Sequence, residues 1–209
     1  MIELKHVDCM EYMKGLEDNA FELAIVDPPY GIGESGGKDR RGKSKHEKKD
    51  WDTGAPRPAY FKELQRVSKN QIIWGANYFP HLLQPSMGWI CWDKKLDNSD
   101  FSDFELAFTS FSVGAKIFRH SKNGGSRTPA ALADFIHPCQ KPVKLYKFIM
   151  ENYAKEGDRI LDTHLGSGSS AIAAHYGGFD FVGCELDEDY FKAAQKRFDA
   201  ETSQMAMEL

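Results

Sequence analysis

The sequence predicts one α/β domain, a mostly parallel sheet flanked by helices. Two observations carry the prediction. From Arg159 to about Ala200 a strand, a glycine loop, a helix, a strand and a second helix follow one another, the alternation that a parallel sheet with crossover helices requires. Near the other end, Phe21–Val26 (F-E-L-A-I-V) is an apolar run of the length of a buried strand, and it stops at Asp27-Pro28-Pro29-Tyr30. The chain has 209 residues, 41% of them hydrophobic and 12% aromatic. That is enough for a core without disulfides or a structural metal, and the expectation is a single domain over 1–209.

The elements follow in order. The two prolines after Asp27 forbid a central strand from continuing. Gly33–Pro58 is a long basic loop rich in glycine and proline, and loops of that length inside a domain carry function or stay flexible. Ala59–Ser68 has helical spacing, with apolar residues at 60, 61, 64 and 67. Gln71–Gly75 reads as a strand, Asn77–Leu83 as a short helix and Gly88–Trp92 as a strand. Phe104–Phe111 and Ala115–Phe118 are expected to pair antiparallel about Gly114. His120–Ile136 is an irregular loop rich in Ser, Gly, Asn and Pro. Pro142 opens a helix to about Tyr153, Ser169–Tyr176 is a helix stopped by Gly177-Gly178, and Asp187 caps the last helix.

Composition excludes several classes. No apolar run reaches the roughly 18–20 residues of a membrane span, and the N-terminus lacks a basic-then-apolar leader pattern. Cys9, Cys91, Cys139 and Cys184 are far apart and form no C-x-x-C pair, so neither a zinc site nor a disulfide framework is expected. A reducing cytoplasm is the expected setting. The net charge of -4 hides a bipolar distribution. Lys38, Arg40, Arg41, Lys43, Lys45, Lys48 and Lys49 stand against two acids, a balance of +5; residues 113–149 balance at +6 and residues 150–209 at -7. Such a molecule can hold a polyanion on one face.

Two constellations carry chemistry. Leu161-Asp162-Thr163-His164-Leu165-Gly166-Ser167-Gly168-Ser169-Ser170 joins a strand to a helix start, where backbone N–H groups are open and small residues let a ligand approach. The next strand ends in Glu185, an acid placed to accept hydrogen bonds from ribose hydroxyls. The pattern points to an adenosine-containing ligand at the carboxyl edge of a parallel sheet. The same letters also spell G-x-G-x-x-A, a dinucleotide fingerprint. Asp162 is poor company for a pyrophosphate but good for an ammonium, and the loop begins only after residue 160, both against that reading.

The second is Asp27-Pro28-Pro29-Tyr30. The proline after Asp27 holds that residue extended, and the two prolines stiffen a backbone with no N–H to offer. A carboxylate and a fixed carbonyl are pure acceptors, matched to the two hydrogens of an exocyclic amino group. Tyr30 adds a flat face for a base.

Asp27-Pro28-Pro29-Tyr30 resembles the catalytic motif of the amino-methyltransferases that modify exocyclic nitrogens of DNA bases, and the glycine loop resembles their S-adenosylmethionine motif. His137-Pro138-Cys139-Gln140-Lys141-Pro142-Val143 is similar to the H-P-x-Q-K-P segment of the permuted class often called beta. The order of catalytic motif, variable region, H-P-x-Q-K-P and cofactor loop is that of this class. His6-Val7-Asp8-Cys9-Met10 resembles its opening G-D-C segment, with His6-Val7 where the glycine would lie.

The resemblance implies a Rossmann-like methyltransferase fold with circularly permuted motif order, and S-adenosylmethionine as cofactor. It implies that Asp162, Gly166, Ser167, Gly168 and Ser169 hold the methionine part and Glu185 the ribose. Asp8 and the Cys9 backbone read the adenine edge, and His137, Gln140, Lys141 and Pro142 close over the cofactor. Asp27 and the Pro28 carbonyl hold the target amine, with Asp27 also facing the cofactor; Pro29 stiffens the turn and Tyr30 stacks on the flipped base. An acid at the first motif position resembles the adenine-N6 enzymes, and serine the cytosine-N4 ones. DNA is the implied partner. The family pattern leaves the short stretch Ser112–Ile136 for target recognition; the basic-run residues are expected on phosphates, and Arg119, Lys122 and Arg127 near bases. No metal is expected. A homodimer is compatible with the family, and the compact chain is similar to stand-alone phage and prophage enzymes. RNA or protein-amide methylation, a nucleotide-dependent oxidoreductase and a non-catalytic DNA-binding module are the competing classes.

Overall fold

The computed structural model describes residues 1–33, 49–96, 102–121 and 135–203. One eight-stranded sheet organises them. Its strands are β1 (Ile2–His6), β2 (Phe21–Val26), β3 (Ser68–Trp74), β4 (Trp89–Asp93), β5 (Phe104–Thr109), β6 (Lys116–Arg119), β7 (Arg159–Asp162) and β8 (Asp180–Glu185). The helices are α1 (Cys9–Lys14), α2 (Pro58–Val67), α3 (Val143–Tyr153), α4 (Ser169–Gly177) and α5 (Glu188–Ser203).

The strand order is β1-β8-β7-β2-β3-β5-β4-β6. β1, β8, β7, β2 and β3 pair in parallel, β5 runs antiparallel to β3 and β4, and β4 pairs parallel with β6. β5 is therefore reversed and its neighbours are not. The expected mixed, mostly parallel sheet is what the chain forms.

Alternation along the strands feeds two apolar layers. Leu23 and Ile25 of β2, with Ile72 and Trp74 of β3, pack with Leu145, Ile149, Ala171 and Ala174 of α3 and α4. Ala24 and Val26, with Ile73, pack on the other face with Met13, Phe61, Leu64 and Val67 of α1 and α2. On α4, Ser169 to Ala174 are all buried, and their small side chains allow that.

Two sequence expectations change. β5 and β6 do not pair with each other, because β4 lies between them and bonds to both. Gly114 therefore joins non-neighbouring strands. The short helix expected over Asn77–Leu83 is two 3₁₀ turns, Ala76–Tyr78 and Pro80–Leu82, divided at Phe79 just before Pro80. β1 and α1 are additions that the sequence pattern did not single out; Asp8 caps α1 by accepting from the N–H groups of Met10 and Glu11.

Candidate active site

The parallel strands bring their carboxyl ends to one edge of the sheet. β2 and β7 are neighbours in register, with Ala24 opposite Leu161, so Asp27 and the loop after Asp162 leave the sheet side by side. Glu185 at the end of β8, Asp8 after β1 and Gly75 after β3 reach the same edge. Ligands of open α/β sheets bind along this edge.

Asp27 is tied on both oxygens. The Tyr30 hydroxyl donates to Oδ1 at 2.6 Å, and Lys141 Nζ donates to Oδ2 at 2.5 Å. Burial, with the Asp27 charge beside it, pushes the Tyr30 phenol up, so it stays protonated and remains a donor. Each carboxylate oxygen keeps a second lone pair for another donor. Gly75 explains how Tyr30 is seated: its φ is +68°, and a Cβ there would overlap the Tyr30 ring. Tyr30 does not present the bare face expected of it. Tyr78, 46% exposed, stacks on it with ring centroids 4.9 Å apart.

Lys141 is placed differently from expectation. It is 3% exposed and reaches the catalytic motif, with Glu105 Oε2 at 3.0 Å and the Tyr30 hydroxyl at 3.3 Å as its further partners. Gln140 is turned inward as well: its Oε1 accepts from the Ile136 N–H and shapes the turn before α3. His137 is the member of the segment that stands over the glycine loop, its ring 3.8 Å from where a Gly166 Cβ would lie. It packs between Trp51, at 5.2 Å, and Tyr190, at 4.4 Å. Pro142 precedes the first turn of α3.

The cofactor edge is built from carboxylates and a turn with left-handed residues. Asp162 accepts from the His164 N–H at 3.0 Å and from the Ser170 hydroxyl at 2.6 Å. Burial outweighs those bonds and raises its pKa to about 7, with the Asp27 and Glu185 charges adding to the rise. Glu185 accepts from the N–H groups of Gly166 and Asp187, and burial raises it too. Gly166 and Gly168 have φ of +53° and +75°, and the turn that glycines make there opens α4. The hydroxyls of Ser167 and Ser169 point away: they meet each other at 3.2 Å, and Arg197 donates to Ser169 Oγ. Cys9, next to Asp8, has its thiol pushed up to about 12 by burial, so it is no nucleophile.

The end of the basic loop returns to this edge. Lys49, expected on a phosphate, pairs with Asp187 at 2.7 Å and Asp189 at 2.8 Å, two carboxylates just past Glu185. Asp52 accepts from the Gly31 N–H, tying the loop to the catalytic motif. Arg119 is 61% exposed on its side chain and lies 3.4 Å from Asp93. Lys38, Arg40, Arg41, Lys43, Lys45, Lys48, Lys122 and Arg127 lie outside the described residues. Among the described residues no cluster of ligating side chains could hold a metal, and no helix is long and apolar enough to cross a membrane.

Sequence reasoning missed Lys94, Glu105, Trp51 and Tyr78. Only Glu105 left a signal, an acid inside the otherwise apolar run F-E-L-A-F.

Fold and site together define a methyl-transferring enzyme of the α/β nucleotide-cofactor class. A family model described as DNA methylase matches residues 73–196, more than half of the chain, and the chain belongs to that family. The type II methyltransferase M.HpaI of Haemophilus parainfluenzae is 25% identical across 93% of this chain and 73% of its own length. The putative methylase YubD of Escherichia coli strain K12 is 29% identical across 92% of this chain and 88% of its own. Among solved structures, the M1.HpyAVI–SAM complex shares the fold with a TM-score of 0.60 at 19% identity, covering 95% of this chain and 100% of that one. The PvuII DNA methyltransferase, described as cytosine-N4-specific, does so with 0.64 at 12% identity over 97% and 90%. The chain is a DNA amino-methyltransferase. S-adenosylmethionine is its cofactor, and the chemistry of the edge fits it: a buried carboxylate, Asp162, and a second acid, Glu185, stand on either side of a glycine turn.

Proposed function

We propose that the protein is a site-specific DNA adenine-N6 methyltransferase. One observation carries the reading: an aspartate, Asp27, stands at the first motif position with both oxygens oriented by donors from the protein. Its neighbours Pro28 and Pro29 leave the Pro28 carbonyl as a second acceptor in a stiff backbone. An adenine-N6 amine has two N–H groups to give, and its lone pair is delocalised into the ring. Accepting both hydrogens favours a more tetrahedral nitrogen whose lone pair can point out of the ring plane. The Asp27 charge also lies where the nitrogen becomes positive in the transition state. Bound S-adenosylmethionine supplies an electrophilic methyl on a sulfonium.

The residues of the cofactor edge divide the holding work. Asp162 takes the ammonium, Glu185 the ribose hydroxyls, the Gly166–Ser169 backbone lies along the methionine part, and Asp8 with the Cys9 backbone faces the adenine. His137 covers the loop from above. Holding amine and methyl in line supplies much of the rate, because it removes the entropy of encounter. The target base leaves the duplex, since its amine is otherwise paired and stacked. A base stacking on Tyr30 takes the place that the exposed Tyr78 ring occupies.

The experiment is direct. Purified protein is incubated with labelled S-adenosylmethionine and unmethylated mixed-sequence duplex DNA, and the nucleosides are separated by mass spectrometry. N6-methyladenine is the expected product; N4-methylcytosine in its place would overturn the base assignment and keep the enzyme class. Asp27→Ala is expected to abolish transfer while the affinity for S-adenosylhomocysteine stays within a few-fold of wild type.

A further inference from the structure

Four charged side chains alternate in sign away from the catalytic motif. Asp27 Oδ2 is 2.5 Å from Lys141 Nζ, which is 3.0 Å from Glu105 Oε2; Glu105 Oε1 is in turn 2.8 Å from Lys94 Nζ. They come from four places in the sequence: the end of β2, the segment before α3, the start of β5 and the residue after β4. The reversal of β5 makes this possible. Its first residues lie at the same sheet edge as the last residues of β2 and β4. Indole rings lie beneath both lysines, Trp74 5.3 Å from Lys141 and Trp92 5.7 Å from Lys94.

The charges have to be considered together because water screens them poorly. The side chains of Lys141, Lys94 and Asp27 are 3%, 11% and 16% exposed; that of Glu105 is 25% exposed, with its Oε2 shut off from solvent. An ammonium so close to Asp27 would offset the negative charge that the substrate amine meets, and would repel that amine as it becomes positive. Glu105 on the far side of the same ammonium draws that positive charge back, and Lys94 closes the chain at a net charge of zero.

We propose that Glu105 and Lys94 are positioning residues of the transfer reaction: Glu105, held by Lys94, balances Lys141, so that Lys141 orients Asp27 without cancelling its charge toward the substrate amine. The inference rests on the reading of Asp27 as the group that holds the amine. Neither residue touches the substrate; both act through Lys141. The arrangement separates two demands on Asp27. Its orientation comes from the Lys141 and Tyr30 hydrogen bonds, and its charge is preserved by a second, oppositely directed ion pair.

The test measures the single-turnover methyl-transfer rate of the full chain at saturating duplex DNA and S-adenosylmethionine, beside the affinities for DNA and for S-adenosylhomocysteine. Glu105→Gln leaves one uncompensated positive charge, and its rate is expected to fall tenfold or more with both affinities within twofold of wild type. Glu105→Asp keeps the charge and is expected to retain more of the rate than Glu105→Gln. The double variant Glu105→Gln/Lys94→Met is neutral overall but leaves Lys141 to offset Asp27 unopposed, so it is expected to stay at least tenfold below wild type. A merely structural role predicts that Glu105→Asp, which shortens the side chain, loses more rate than Glu105→Gln, which keeps its shape. A wild-type rate in Glu105→Gln, or a Glu105→Asp no faster than Glu105→Gln, overturns the proposal. If Glu105→Gln does not fold, the double variant decides, and a wild-type rate there overturns it. Asp27→Asn is run in parallel: full activity in that variant refutes the catalytic reading itself, whereas an inactive Asp27→Asn beside an unaffected Glu105→Gln refutes only the role of Glu105.

Discussion

The role proposed for Asp162, partner of the cofactor ammonium, makes cofactor affinity depend on pH. Its carboxyl is buried between the glycine loop and α4, and burial raises its pKa to about 7. Half of the free protein therefore carries a neutral Asp162 at that pH. A ligand ammonium needs the ionised form, so binding has to expel the proton, and affinity falls as pH falls below 7. From pH 7.5 to pH 6 the ionised fraction drops about eightfold, which corresponds to about 1.3 kcal/mol of binding free energy. The assay is calorimetric titration with S-adenosylhomocysteine, which carries the ammonium, and with 5′-methylthioadenosine, which keeps the nucleoside and lacks it. The first ligand is expected to weaken by about that factor and the second to change little. Titration of Glu185, the proposed ribose acceptor, would move both ligands together, so the difference between them isolates Asp162. Equal slopes, or a flat profile for S-adenosylhomocysteine, would refute the reasoning. The same shift costs folding stability. A carboxyl raised above its unfolded value contributes stability that is present below the unfolded pKa of about 4 and lost as pH rises from there to about 7, about 4 kcal/mol in all by pH 8. Asp162→Asn is expected to raise the thermal midpoint of the ligand-free protein relative to wild type more at pH 8 than at pH 5, while losing cofactor affinity.

Three further outcomes follow from the geometry. Gly75→Ala meets both a left-handed backbone and the Tyr30 ring; it is expected to lose about 1–2 kcal/mol from the backbone alone, read by urea denaturation, and to lower the transfer rate by displacing Tyr30. Tyr30→Phe keeps the ring and loses the bond to Asp27, so it is expected to retain considerable activity while Tyr30→Ala loses most of it; equal rates in the two variants would argue against stacking. Lys49→Met breaks the pairs with Asp187 and Asp189 and is expected to cost under about 1 kcal/mol of stability in a thermal melt, with a few-fold loss of S-adenosylhomocysteine affinity as the segment around Lys49 loosens from the cofactor edge.

Much of this molecule is written locally. The apolar run of Phe21–Val26, the proline stop after Asp27 and the glycine turn before α4 are decided by neighbours in the chain, through fixed φ angles and side-chain periodicity. For the same reason Arg159–Asp162 was recognisable as a strand and Asp187 as a helix cap, both present as expected. The motif residues Asp27, Asp162 and Glu185 were legible because each ends a strand, and strand ends of a parallel sheet meet at one edge.

What the chain order could not disclose depends on which strand lies beside which. Nothing in Phe104–Thr109 says that the strands it runs against are β3 and β4, nor that β4 separates it from β6, since hydrogen-bond partners in a sheet are chosen by competition among all the strands. That choice brought Glu105 to the catalytic edge, turned Lys141 toward Asp27 and set Tyr78 against Tyr30. The sequence by itself determined the reactive groups and the backbone shapes that present them. Only the tertiary structure decided which charges stand next to them, because electrostatic environment depends on distance in space and on exclusion of water, and neither has a local signature in the chain.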